Sequence, residues 1–203
     1  MKVSLQTAPT LKLLSLNELK LHLRIDTDEI EDYAEDDLLT DIIGAATVHI
    51  EDITSRQLLT ATWDYYLNEF PSGDFFKLPF GRLQTVTHIK YTDSDSAQTT
   101  MTVGTDYIVE TNGDACGRIV LPYGETWPSF TEYTSNPIVV RFTCGWTTAA
   151  AVPASIRVAA KLIAADMYSN RESQVFTASG FEYRENKTVQ RLLASYRLWD
   201  TFL

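Results

Sequence analysis

Carboxylates are the most abundant reactive groups in this 203-residue chain: 27 Asp and Glu stand against 17 Lys and Arg, a formal net charge of −10. Eight of them fall in one run, Asp26 to Asp37 (DTDEIEDYAEDD), with no basic residue between. Such a run could hold calcium in a helix–loop–helix frame. That frame needs glycine at its sixth position and an oxygen ligand at its fifth; counted from Asp26 these are Glu31 and Ile30. The run therefore reads as a solvated acidic loop. Two carboxylates could also work a glycosidic bond, one as acid and one as nucleophile or base. Their clustering in one polar loop argues for solvation rather than convergence on a cleft.

The other reactive side chains are scattered. His22, His49 and His88 have no placed partner, and His49, between Val48 and Ile50, is expected as a partly buried histidine on a helix. Cys116 and Cys144 form no CxxC pair, which leaves zinc and redox motifs unsupported. Cys144-Gly145-Trp146 has a faint likeness to a thiol-protease context, but Gly145 is better read as the end of a strand. HExxH, GxSxG, GxGxxG and a phosphate-binding glycine loop are all missing. No catalytic residue, metal or cofactor is expected. Trp63, Tyr65, Trp127 and Trp146 could stack sugars, which makes a carbohydrate- or small-ligand-binding protein the alternative reading. Their alternating positions point first to sheet core and rim.

Two segments must carry the fold. In Asp36 to Ile53, apolar residues recur at Leu39, Ile42, Ile43, Ala46, Ile50 and Ile53, on one face of a helix. Asp36 and Asp37 stand at its start, where carboxylates complement the exposed N–H groups. Gly44, Ala45 and Ala46 make one side thin enough for another backbone to approach, within the subunit or between subunits. Far along the chain Pro153 opens a second helix, with Ile156, Ala159, Ala160, Ile163, Ala164 and Met167 on its face. Val158, Leu162 and Ala165 cover its other side, so burial all round is expected. A shorter helix follows Ser15, with Glu18 completing a capping box, and residues 1–14 read as an extended arm.

Between the helices the period changes to two. Ala61, Trp63, Tyr65 and Leu67 alternate with Thr62, Asp64, Tyr66 and Asn68; Ile138, Val140 and Phe142 alternate with Val139, Arg141 and Thr143. FFKLPF (75–80) and Val86 to Tyr91 add strands, and Asn112-Gly113 between 107–110 and 118–121 signals a hairpin. The fold class expected is α+β: a helical bundle built from the N- and C-terminal segments with an inserted antiparallel β-sheet or small sandwich. Residues 1–56 and 150–203 form the helical part and 57–149 the insert. The end, TVQRLLASYRLWDTFL, regains helical spacing and leaves Trp199, Phe202 and Leu203 as large apolar groups that need a groove or a partner.

An acidic surface repels phosphates, which speaks against specific DNA binding but not against a wall past which DNA slides. No apolar run approaches the roughly 20 residues that cross a bilayer, and the N-terminus lacks a signal-like core. Synthesis in a reducing cytoplasm is expected.

Three blocks in order, LSLNELKLHLRIDTDE with DDLLTDIIGAATVHIEDITSRQLLTATWDYYL, then FKLPFGRLQTVTHIKY, then VVRFTCGWTTAAAVPASIRVAAKLIAADMYSNRE, resemble the head–tail connector (adaptor) proteins of long-tailed phages and prophages. The resemblance covers roughly residues 13–172, with Cys144 where relatives often carry Ala. It implies a virion structural protein at the capsid vertex, in a ring of commonly twelve copies under the portal. Such a ring extends the DNA channel and presents a platform for a stopper or tail-completion protein. It further implies that the helical part closes the ring, through a heterologous interface for which Gly44, Ala45 and Ala46 are candidates. The C-terminal segment is expected to dock on the portal, with Leu192, Tyr196, Trp199, Phe202 and Leu203 as candidate contacts.

Overall fold

The computed structural model describes residues 2–25, 33–170 and 187–198. The acidic run from Asp26 therefore lies largely outside the described residues. The chain divides into two compact units, each assembled from separated segments. One comprises Met1–Thr10, Ser55–Thr147 and Leu198–Leu203; the other comprises Leu11–Thr54 and Thr148–Arg197. The α+β class expected from the sequence is what forms.

The helical unit contains α1 (Leu16–Leu23), α2 (Tyr33–Thr54), α3 (Ala154–Ser169) and α4 (Lys187–Leu193). Ser15 caps α1 as its spacing predicts: the Ser15 hydroxyl accepts from the Glu18 N–H, and the Glu18 carboxylate accepts from the Ser15 N–H at 2.9 Å. That backbone hydrogen bond holds the Glu18 carboxyl below its ordinary value, helped by the Ser15 hydroxyl and the charges of Arg157 and Lys161, while partial burial opposes it. Pro153 is the N-cap of α3, and its carbonyl accepts from Ile156 and Arg157. α3 touches each of the other three helices. Its face of Ile156, Ala159, Ala160, Ile163 and Ala164 is buried, as are Leu39, Ile42, Ile43, Ala46 and Ile50 of α2. Alanine at these positions allows close approach of the helix axes. The other side of α3 is more open than an all-round apolar helix suggests: Val158 is exposed.

The β unit holds two antiparallel sheets. Strands β1 (Lys2–Thr7), β2 (Ala61–Leu67), β4 (Leu83–Thr92), β5 (Gln98–Thr100) and β8 (Ile138–Cys144) make the larger one in the order β1-β2-β8-β4-β5. Strands β3 (Phe75–Lys77), β6 (Ile108–Glu110) and β7 (Arg118–Val120) make the smaller, in the order β3-β7-β6. One apolar cluster joins them, with Leu83, Ile89, Ile138, Val140, Phe142 and Cys144 from the large sheet against Phe76 and Ile119 from the small. The strand spacing suggested an antiparallel sheet or a small sandwich; two antiparallel sheets sharing one core are what forms.

Three local features compare with the sequence reading as follows. The N-terminal arm is the edge strand of the large sheet, paired antiparallel to β2 from Lys2↔Tyr66 to Thr7↔Thr62. The hairpin expected around Asn112-Gly113 forms: β6 and β7 pair antiparallel through a seven-residue connection in which Asn112 and Gly113 take left-handed conformations, φ 53° and 58°. His49 is exposed rather than half-buried.

Gly145 ends β8 at φ +102°, where a Cβ would stand 2.6 Å from the Leu59 carbonyl. The close crossing is held by Trp146 N–H to the Leu58 carbonyl at 2.9 Å and Thr60 N–H to the Trp146 carbonyl at 3.1 Å. Gly145→Ala is expected to lower unfolding stability by at least ~2 kcal/mol, from a left-handed φ plus a backbone clash. Equilibrium urea denaturation measures this; an unchanged midpoint would contradict the close crossing.

Candidate assembly surfaces

The outer face of the large sheet is polar. Register places Ser4, Asp64, Arg141 and His88 in one row across four strands, and Lys2, Tyr66, Val139 and Lys90 in the next. Asp64 is almost fully buried although it sits on this face. Arg141 explains why: its Nε and Nη2 each donate to an Asp64 carboxylate oxygen at 2.7 Å, a two-pronged pair. The hydrogen bond to Asp64 is the main reason that the Arg141 guanidinium titrates above its ordinary value. Burial, then the charges of Lys90 and Arg141, push His88 below its ordinary value, with Asp64 opposing.

A second cluster surrounds the FGR turn. Phe80, Gly81 and Arg82 take φ of 70°, 64° and 38°, three left-handed residues in succession. Arg82 N–H donates to the Ala115 carbonyl at 3.0 Å, and Gly145 N–H donates to the Arg82 carbonyl at 3.1 Å. The Arg82 guanidinium pairs with Asp114 and lies over the Trp146 ring, 5.2 Å from its centroid. Arg56, itself buried, donates to the Asp114 carbonyl. Leu198 lies close to the turn: its Cδ1 would be 3.0 Å from a Cβ on Gly81.

The aromatic residues that could have formed a sugar platform are engaged inside the β unit. Trp146 is buried. Trp63 packs on Phe80 with centroids 4.6 Å apart, and its indole N–H donates to Gln57. Trp127 stacks on Phe70 at 5.1 Å, and Tyr65 is half-buried. Among the described residues no group of three or more His, Cys, Asp or Glu could hold a metal ion, and no helix is long and apolar enough to cross a membrane.

The residues singled out for assembly separate. Gly44 and Ala45 are exposed on α2, and nothing lies within 4 Å of where a Gly44 Cβ would stand, whereas Ala46 turns into the helical core. Leu192 and Tyr196 are half-buried at the end of the helical unit. Trp199, Phe202 and Leu203 lie outside the described residues. Sequence reasoning missed the Asp64–Arg141 pair and the FGR turn. The pair carried one signal, an Asp and an Arg each alternating with apolar neighbours; the turn carried only its glycine.

Trp63, Trp127 and Trp146 are thus engaged within the β unit, whereas Phe75, Tyr123 and Tyr133 are exposed. Residues 14–112 match the family model described as phage gp6-like head-tail connector protein. Solved structures agree over nearly the whole chain. A component of the neck of an empty GTA particle, computed with C6 symmetry, is 26% identical with a TM-score of 0.79, covering 98% of this chain and 96% of that one. Two more share the fold at the same coverage: one from the virion of a native gene transfer agent particle (23% identity, TM-score 0.77), one from a native GTA neck computed with C12 symmetry (22%, 0.74). No curated protein matches the chain. The likeness seen in the three sequence blocks is borne out: the chain is similar to head–tail connectors of the phage type.

Two predictions test the polar face. Asp64→Ala should cost about 2 kcal/mol, less than a fully buried pair would lose because Arg141 is partly solvated. Asp64→Ala with Arg141→Ala should cost less than the sum of the singles; additive losses in urea denaturation would contradict the pairing. His88, with its folded-state pKa lowered, contributes stability that is complete above its unfolded value of about 6.5 and is lost as pH falls through the folded value. The drop in melting temperature between about pH 7.5 and 5.5 should therefore shrink in His88→Gln; an identical drop in both proteins would contradict it.

Proposed function

We propose that the chain works as a virion structural protein in a ring of copies under the portal, at the capsid vertex. The ring extends the DNA channel and offers the platform on which a stopper or tail-completion protein seats. The observation that carries this reading is the match of nearly the whole chain to neck components of particles computed with C6 and C12 symmetry, together with the connector family match. Twelve copies is the number we propose. Closure of such a ring requires two different faces of each subunit.

Both units contribute in this reading. The helical part supplies the contact between subunits through the Gly44 and Ala45 side of α2. Leu192 and Tyr196, with Trp199, Phe202 and Leu203 beyond them, form the portal contact. The net charge of −10 suits a channel wall past which DNA slides, since each phosphate contact would add salt-dependent affinity. No catalytic role is proposed, and synthesis is in the host bacterial cytoplasm.

Mass measurement of the purified chain, alone and with its portal protein, tests this directly. Rings, or chain recruited into a portal complex, are expected. A chain that stays monomeric at high concentration with no affinity for the portal would overturn it. A chain ending at Leu198 should keep its cooperative unfolding but bind the portal at least tenfold more weakly, as expected when anchoring aromatics are removed; full-strength binding would move the contact elsewhere.

A further inference from the structure

The charges of this chain are segregated, and the segregation suggests which two faces meet. α2 carries six carboxylates, Glu35, Asp36, Asp37, Asp41, Glu51 and Asp52, and no Lys or Arg. Asp36 is paired with Lys20 at 2.5 Å, and Glu35 accepts from the Tyr168 hydroxyl at 3.1 Å. Asp37, Asp41 and Asp52 are exposed. At 100° per residue, Asp41 and Asp52 project within about 20° of each other, with Ala45 and Val48 between them on the same stripe. Val48 is exposed, and Gly44 beside it leaves open space. The outward side of α2 is thus a low, partly apolar strip with an acidic group at each end.

The outer face of the large sheet has the opposite character. Lys2 and Lys90 stand in one row, separated by Tyr66 and Val139. Lys2 lies over the Tyr66 ring, 5.0 Å from its centroid. Arg141 and His88 occupy the next row, where Asp64 neutralises Arg141. In a chain of net charge −10 this face carries a positive excess.

The spacings also agree. Lys2 and Lys90 are three strands apart, roughly 14 Å at about 4.8 Å per strand. Asp41 and Asp52 are eleven residues apart, roughly 16 Å at 1.5 Å per residue. A helix laid across the strands would bring both aspartates over both lysines, with Ala45 and Val48 against Tyr66 and Val139. From this we propose that the polar face of the large sheet receives the acidic outer stripe of α2 from a second copy of this chain. The contact joins two different faces, as ring closure requires. The inference rests on the ring reading and names its contact.

Charge reversal on each side, in the full chain, tests it. Self-association is followed by sedimentation velocity over a range of concentration, with and without portal. Lys2→Glu with Lys90→Glu should weaken assembly about tenfold or more, and so should Asp41→Lys with Asp52→Lys. Melting temperatures near wild type establish that both variants fold. A chain carrying all four changes restores the complementarity and should assemble like wild type. Three results would overturn the inference: assembly indifferent to either reversal, no rescue in the fourfold variant, or a short DNA duplex bound through Lys2 and Lys90 while assembly is unaffected by their reversal. A wild-type chain that never associates, alone or with portal, would fail the ring reading itself. Indifference to reversal in a chain that does associate fails only this contact.

Discussion

The contact on which the structure depends is the packing of α2 against α3. The chain leaves the helical unit after Thr54 and re-enters it at Thr148, so the helical core joins segments almost a hundred residues apart. Closing such a loop costs entropy that only burial on both sides can offset. Small residues make that burial tight: Ala46 on α2, and Ala159, Ala160 and Ala164 on α3, are all buried. Once this face is fixed, the opposite face of α2 is fixed as well, because the two are set by one helical period. What the helix offers to a neighbour follows from what it buries at home.

The β unit obeys a parallel rule with period two. Ile138, Val140, Phe142 and Cys144 point into the core shared by both sheets, which obliges Val139, Arg141 and Thr143 to face outward. Arg141 then reaches Asp64, its register partner on the adjacent β2, and draws it out of water. An isolated carboxylate could not be buried there; a two-pronged partner in the same row makes it tolerable. The strained FGR turn is stabilised in a similar way. Its left-handed residues are fixed by hydrogen bonds to the Ala115 carbonyl and from the Gly145 N–H, and by the Asp114 and Trp146 contacts of Arg82.

Much of this was legible in the sequence because burial is periodic. The face of α2 from Leu39 to Ile50, the face of α3 from Ile156 to Ala164, the Ser15–Glu18 capping box and the alternation in β2 and β8 could all be read directly. Where the signal failed, the reason is physical. β1 is an edge strand whose side chains are mostly exposed, so no alternation marked it. Asp64 breaks the rule that polar positions face solvent because its partner lies far along the chain. His49 sits between apolar neighbours yet projects outward, since adjacent helical residues differ by 100° in direction. The left-handed run at Phe80 to Arg82 depends on contacts with Gln57, Ala115 and Gly145, which local spacing does not encode. Surfaces between subunits are the least legible part, because charge placed for a partner looks like charge placed for water.

The mutual dependence of α2 and α3 is tested most directly by native-state hydrogen exchange in low denaturant. If their packing closes the helical unit, the most protected amides of Ile42 to Ile50 and of Ala159 to Ala164 should open with the same free energy and the same denaturant dependence. α3 amides that exchange at low free energy while those of α2 remain protected would show that α2 is held by something else, and would contradict the account.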